Sequence, residues 1–320
     1  MGSIRPKVTV LMPAYNAAKY IEEAIASVLE QTLSDFELLI INDGSTDETA
    51  NIVRSFNDSR IVLITQDNKG VAAALNLGLT YARASYIARF DADDICYPNR
   101  LKIQYDFITD YPEYSIIGSA ADYVDAHGHF IFTHHPEAHL NEEIQRLKVS
   151  TCPFIHSSVF YKKETVVNHG GYNEHAYTYE DHFLWVNILK TEKACNLSQS
   201  LIKVRLNPES ITIDEKWHTR KFRSIKYSTL KKRSITASEG DELLQISGKQ
   251  HPFKIKEGAY YALCCKKFLI NNYQPAKARV NVARAISVYP FRLENYLLFT
   301  ASYLPEKLLN WLHRLNRKRV

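Results

Sequence analysis

Long uncharged apolar runs are absent from this 320-residue chain. No stretch approaches the roughly 18 residues that a membrane-spanning helix needs, and the mean hydropathy is −0.28. A disulfide framework is absent too. The five cysteines, Cys96, Cys152, Cys195, Cys264 and Cys265, form no Cys-x-x-Cys pair and are odd in number. They read as reduced thiols, and a cytoplasmic location is expected. Glycine and proline number only 11 each, which excludes collagen-like and low-complexity classes. The first residues carry no apolar signal core. Met1-Gly2-Ser3 lacks the Ser or Thr at position six that myristoylation requires, because Pro6 stands there. No Gly-x-Gly-x-x-Gly follows the first strand, so a dehydrogenase-type dinucleotide site is unsupported.

What the chain does have is charge separated along its length. Residues 1–214 carry 18 Lys and Arg against 28 Asp and Glu, a net of −10; residues 215–320 carry 22 against 7, a net of +15. An acidic body suits metals or ligands held through metals, and a basic region suits an anionic surface.

Hydropathy patterning organises the acidic part. Strands are predicted over 7–12, 36–41, 61–65 and 86–90, and helices over 18–31, 46–56, 70–82 and 99–109. Residues 36–41 (FELLII) are apolar except for Glu37, as a strand buried on both faces should be. Strands alternating with helices at this interval imply βαβ units and a mostly parallel sheet, whose ligands bind beyond the carboxyl ends of the strands. Further on, strands are predicted around a turn at His127-Gly128, a short helix over 140–147, a strand over 154–161 and a helix over 180–189. From 215 the chain reads as helical, with a polar break at 234–250 and a helical hairpin within 257–289.

Three clusters follow strands. Asp91-Ala92-Asp93-Asp94 sets three carboxylates within four residues, an unfavourable arrangement unless a cation offsets it. Hard divalent cations take such oxygens together with phosphate oxygens. Asn42-Asp43-Gly44-Ser45-Thr46-Asp47 can present Asp43 to the imide N–H of a pyrimidine base, or serve as a turn with Ser45 or Thr46 as helix cap. Pro13-Ala14-Tyr15-Asn16 offers a ring for stacking. Glu180-Asp181 precedes the run HFLWVNIL, where a helix dipole favours negative charge.

The order of these elements, MPAYNAAKYIEEAIASVLEQT, FELLIINDGSTDETA, QDNKGVAAALNLGLTYARASYIARFDADD, PNRLKIQ, PFIHSSVFY and GGYNEHAYTYEDHFLWVNIL, resembles the inverting family 2 glycosyltransferases of GT-A fold over residues 7–214. Those that extend bacterial surface polysaccharides and lipo-oligosaccharides look most similar. The resemblance implies a Rossmann-like α/β domain over 1–214, followed by a basic helical region over 215–320. It implies that Pro13, Ala14 and Tyr15 line the base site, that Asp43 pairs with the base, and that Asp67, Asn68 and Lys69 lie near the nucleotide. It further implies that Asp91 holds the ribose or a metal-bound water, that Ala92 lies at the nucleotide-sugar, and that Asp93, with Asp91, holds Mn²⁺ or Mg²⁺ on the diphosphate. Asp181 would be the general base and Glu180 its support, with His156 and Trp185 near the acceptor. The family often has Ala-Arg-Asn where this chain has Ala74-Leu75-Asn76, so an arginine contact is either missing there or replaced by Lys69 or Arg89.

The expected reaction is transfer of a sugar from a nucleoside-diphosphate sugar, a UDP-sugar foremost, to a glycan or lipid-linked acceptor. A nucleotidyltransferase and a non-catalytic sugar-nucleotide-binding protein are the competing readings. The cluster Lys216, Arg220, Lys221, Arg223, Lys226, Lys231, Lys232 and Arg233, with the apolar runs 296–303 and 308–312 and the terminal Arg314, Arg317, Lys318 and Arg319, suits an anionic membrane surface on the cytoplasmic side. Nucleic acid is not an expected partner, because no recognition motif accompanies the charge.

Overall fold

A computed structural model describes residues 5–208, 218–247 and 253–317, with side chains described as far as Trp311. The expected boundary at 214, Lys216, Lys318, Arg319 and the Met1-Gly2-Ser3 start lie outside these residues, as do the side chains of Leu312, Arg314 and Arg317. Strands β1 (Val8–Ala14), β2 (Phe36–Asp43), β3 (Ile61–Gln66) and β4 (Tyr86–Arg89) alternate with helices α1 (Ile21–Leu29), α2 (Thr49–Ser55) and α3 (Val71–Tyr81). These strands pair in parallel in the order β3-β2-β1-β4. Beyond β4 come β5 (Ile95–Cys96), α4 (Arg100–Asp110), β6 (Tyr114–Val124), β7 (Phe130–His134), α5 (Asn141–Leu147), β8 (Phe160–Lys162), α6 (Lys163–Asn168), α7 (Glu180–Ile188) and β9 (Lys193–Arg205). The sheet continues from β4 through β8, β6, β9 and β5, with β7 paired to β6. The β4–β8, β6–β8 and β5–β9 pairs are antiparallel.

The parallel half forms because β2 is buried along its whole length. Glu37, the charged residue near its start, is fully partnered. It accepts from Thr9 Oγ1 at 2.6 Å, from the Arg83 amide at 2.7 Å and from Arg83 Nε at 2.5 Å. α3 lies against β1 and β2, and Gly78 permits it: a Cβ there would sit 2.2 Å from Leu11 Cδ1.

Two expectations are corrected. Residues 154–161 are not one strand, because His156–Ser158 form a 3₁₀ turn before β8. The Ser158 amide and hydroxyl both donate to the Ile155 carbonyl at 2.8 Å, which coils the segment. The polar stretch 234–250 contains a helix, α9 (Ala237–Ser247), which follows α8 (Arg220–Lys232). Its start is a capping box: the Glu239 amide donates to Thr236 Oγ1 at 3.3 Å and Glu239 Oε2 accepts the Thr236 amide at 2.9 Å.

The chain divides into two compact units. One comprises the described residues of Met1–Ala121, His134–Val204 and Arg220–Ile246; the other, those of Asp122–Thr133, Arg205–Thr219 and Ser247–Val320. The second unit holds α10 (Phe253–Ile270), α11 (Pro275–Val288), α12 (Leu293–Ala301) and α13 (Glu306–Arg317). As expected, α10 and α11 form a hairpin, with Pro275 opening α11. Its core joins Ile131, Phe132 and Leu206 to Cys264, Cys265 and Phe268. No helix of the described residues is long and apolar enough to cross a membrane.

The PNRLKIQ segment braces the end of β4. Arg100 is fully buried; its Nη2 donates to the Arg89 carbonyl at 2.7 Å and its Nε to Gln104 Oε1 at 2.9 Å. Gln104 Nε2 in turn donates to the Ser158 carbonyl at 2.8 Å. A lysine ammonium is a point charge that does not reproduce this planar fork. Arg100→Lys is therefore expected to destabilise the fold by about 2–4 kcal/mol, read as a lowered denaturation midpoint; an unchanged midpoint would contradict the bracing role.

Candidate active site

The loops after β1, β2 and β3 are laced together by short polar side chains. Asn16, in the left-handed region at φ 48°, donates its amide to Ser45 Oγ at 3.0 Å and accepts the Thr46 amide on Oδ1 at 2.8 Å. Asp47 accepts the amides of Ala18 at 3.1 Å and Thr49 at 3.0 Å. Asp47, rather than Ser45 or Thr46, thus satisfies the first turn of α2. Gly44 (φ 72°) admits the third loop, since a Cβ there would lie 2.6 Å from the Asn68 amide nitrogen.

Asp43 is buried at the end of β2. Its carboxylate accepts from Gln66 Nε2 at 2.6 Å and from the amides of Lys69 at 2.9 Å and Gly70 at 2.8 Å. It thereby shapes the Asp67-Asn68-Lys69 loop, whose three side chains are exposed. These bonds fill three of a carboxylate's four or so acceptor positions. Tyr15, just past β1, is 52% exposed. Pro13 is half-buried and Ala14 buried beside it.

Beyond β4, Asp91 and Asp93 are half-buried, and Ala92 and Asp94 are buried. Asp91 forms an ion pair with the buried Arg89, and its backbone amide donates to Ser157 Oγ at 3.2 Å. Burial opposes the Arg89 charge, but Asp91 outweighs it and holds the guanidinium protonated. Arg89 is thus committed to a carboxylate, whereas the Lys69 side chain is exposed.

Glu180 and Asp181 open α7. Asp181 Oδ1 accepts the His182 amide at 2.6 Å; Oδ2 lies 3.6 Å from Cys152 Sγ and 4.0 Å from His156 Nδ1. His156 Nε2 meets the Tyr172 hydroxyl at 3.3 Å. The Tyr172 backbone is pinned by Asn76, which accepts its amide and donates to its carbonyl, each at 2.8 Å. Arg89 interacts electrostatically with Asp91, Asp94, His156 and Glu180. The two acidic clusters that the sequence singles out therefore share one site.

Their protonation differs. Burial, with Asp181 beside it, pushes Glu180 up to about 7. Burial would raise Asp181 too, but His156, His182 and Lys226 outweigh it and hold this carboxyl below its usual range. Burial and the Arg89 charge push His156 down to about 4, so its imidazole is neutral near pH 7.

Trp185 is wholly buried. It packs edge-on against His156, Tyr172 and Phe154 at ring separations of 6.1, 6.2 and 5.7 Å, so it supports these rings from within the core, whereas His156 is only partly buried. Sequence reasoning missed Cys152, Ser157, Tyr172 and Lys226. None belongs to a strand-end cluster, and only Tyr172, in the glycine turn GGY, carried a local signal. Lys226 of α8 stands 5.3 Å over the Tyr179 ring, and Tyr179 is tied to Thr229 at 2.9 Å.

Comparison with known proteins bears on this site. A family model described as Glycosyl transferase family 2 matches residues 9–169. The amylovoran biosynthesis glycosyltransferase AmsE of Erwinia amylovora is 31% identical over 216 residues, covering 66% of this chain and 80% of its own. The O-antigen biosynthesis glycosyltransferase WbnJ of Escherichia coli is 31% identical over 238 residues, covering 72% and 91%. Among solved structures, S. aureus TarS 1-349 in complex with UDP superposes with a TM-score of 0.55 at 17% identity, covering 88% of this chain and 89% of its own. The mannosyltransferase PcManGT from Pyrobaculum calidifontis, in complex with GDP-Man and Mn²⁺, gives 0.54 at 18% identity, covering 97% and 88%.

The Glu180 proton has a consequence for stability. The folded chain keeps it to about pH 7, whereas the unfolded chain releases it near 4.5. Stability contributed here is therefore lost as pH rises through that window. Glu180→Gln is expected to melt above the wild type at about pH 8 and level with it at about pH 4.5. A variant that melts lower at about pH 8 would mean instead that ionised Glu180 is well paired.

Proposed function

The chain belongs to glycosyl transferase family 2 and is a glycosyltransferase of GT-A fold, and from that premise we propose that it moves a sugar, with inversion, from a UDP-sugar to a hydroxyl of a glycan or lipid-linked acceptor in surface-polysaccharide assembly. The observation that carries this reading is the meeting of Asp91 with Glu180 and Asp181 around Arg89 and His156. The chemistry is assigned to residues 1–214, with Arg220–Ile246 in the same compact unit, and attachment at the cytoplasmic face of a membrane to the rest of 215–320.

The donor lies over the laced loops. The exposed Tyr15 ring stacks on the base, with Pro13 and Ala14 as its wall, and the acceptor position left on Asp43 takes the imide N–H of uracil. Asp67 and Asn68 border the nucleotide, and Lys69 approaches the diphosphate as the substitute for the missing arginine. Asp91 and Ala92 meet the ribose.

Asp93 and Asp91 would hold a divalent cation. Among the described residues no three His, Cys, Asp or Glu side chains converge into an all-protein metal site. Two carboxylates at a strand end fit Mn²⁺ or Mg²⁺ only when diphosphate oxygens complete the coordination. When bound, such a cation offsets the charge that builds on the nucleoside diphosphate as it leaves.

Asp181 acts as general base. The His182 amide fixes Oδ1, so Oδ2 is the oxygen that takes the acceptor proton beside Cys152 and His156. Remaining ionised is what a base needs. Glu180, which keeps its proton up to about pH 7, is a hydrogen-bond donor in the same site below that pH, and His156 contacts the acceptor. The acceptor oxygen attacks C1 from the face opposite the departing diphosphate, through an oxocarbenium-like transition state.

Asp181→Asn is expected to lower transfer by about 10²–10⁴-fold while calorimetric affinity for the UDP-sugar is unchanged; near-normal turnover would remove Asp181 from this role. Chelation with EDTA is expected to stop turnover and Mn²⁺ or Mg²⁺ to restore it, followed as UDP release. Full activity in EDTA would exclude the cation.

A further inference from the structure

The second unit carries an outward apolar face that its own core does not use. On α12, Leu298 and Phe299 pack inward against the cluster around Cys264 and Phe268. Leu293, Tyr296 and Leu297, spaced to share one helix face, point the other way and are exposed. Phe291, at the turn into α12, is 89% exposed. α13 repeats the division: Leu309 packs against the core, whereas Leu308 and Trp311 are exposed. Single exposed leucines are ordinary, but several large apolar side chains exposed on the outward faces of two successive helices call for an occupant.

Charge identifies the occupant. Residues 247–320 carry 14 Lys and Arg and only three acidic residues, Glu257, Glu294 and Glu306. Lys307 is exposed beside Leu308. Arg279 stands 4.9 Å over the Tyr303 ring and donates to the Ser302 carbonyl at 3.0 Å, at the junction of α12 and α13. A second copy would set one segment of net positive charge against another. Nucleic acid offers leucine side chains nothing to stack on. An anionic bilayer satisfies both properties: the headgroups take the cations, and the acyl boundary takes the leucines and aromatic rings.

The basic helix α8 contributes less than its sequence suggests. It falls in the other compact unit, where Lys221 pairs with Glu242 and Lys232 with Glu239, and where Phe222 and Leu230 are core.

We infer that the α12–α13 face of the second unit, led by Phe291, Leu293, Leu297 and Trp311, is an interfacial membrane-binding surface for anionic phospholipid. It is independent of the transfer chemistry, and its test leaves that chemistry readable. The full chain is sedimented with vesicles of equal phosphatidylcholine and phosphatidylglycerol, and with phosphatidylcholine alone. Binding to the anionic vesicles only is expected, weakening with salt. The variant Phe291→Ser/Leu293→Ser/Leu297→Ser is expected to partition about tenfold less or weaker, with donor hydrolysis and melting temperature unchanged. Trp311 provides a second readout: its emission shifts to the blue on anionic vesicles, and Trp311→Phe abolishes that shift whether or not the triple variant folds. Equal pelleting of the triple variant, indifference to phosphatidylglycerol, or a wild-type dimer that the variant dissolves would each overturn the inference. So would oligonucleotide binding without vesicle binding.

Discussion

The buried guanidinium of Arg89 is the constraint on which the site depends. A buried charge is costly unless it is paired, and removing one partner exposes that cost in full. Arg89 pairs with Asp91 and acts electrostatically on Asp94 and Glu180, so it makes a crowd of carboxylates tolerable at one strand end. Its backbone is held from both sides. The Arg89 amide donates to Val159 at 2.9 Å, and its carbonyl accepts Arg100 at 2.7 Å. The guanidinium is therefore placed by the sheet and by α4 together, and Asp91 and the His156–Ser158 turn are placed with it.

From that arrangement comes the separation of two adjacent carboxyls. Glu180 is driven toward neutrality by burial and by its neighbour, while Asp181, beside His156 and His182, stays ionised. One is then suited to donate a hydrogen bond and the other to accept a proton, the division of labour that acid–base chemistry requires. The donor side is built differently. There, backbone amides and short side chains (Asn16, Asp43, Ser45, Asp47) knit three strand-end loops, and Gly44 lets two of them touch.

The sequence was legible where burial and local chemistry agree. FELLII and IVLIT are strands because their apolar runs are bounded by turn residues, and the hairpin expected within 257–289 is present. Legibility failed where tertiary contacts override pattern. FIHSSVFY alternates well enough for a strand, yet Ser158 bonds back to Ile155 and Gln104 takes its carbonyl, so the chain coils before β8. The Thr236–Glu239 capping box, by contrast, was present in the letters beneath a polar composition.

Sequence alone determined the parallel βαβ half, the acidic clusters at 91–94 and 180–181 and their order along the chain, because strand burial, turn chemistry and charge are properties of neighbouring residues. Only the tertiary structure decided that Arg89 is committed to Asp91, that Asp43 spends most of its acceptor capacity on the loop beside it, and that Trp185 is wholly buried while His156 is only partly so. It also divided the positive charge, placing α8 against the core of one unit and leaving the apolar face of α12 and α13 exposed on the other. These outcomes depend on which side chains meet in space, and such meetings are set by packing rather than by any local pattern.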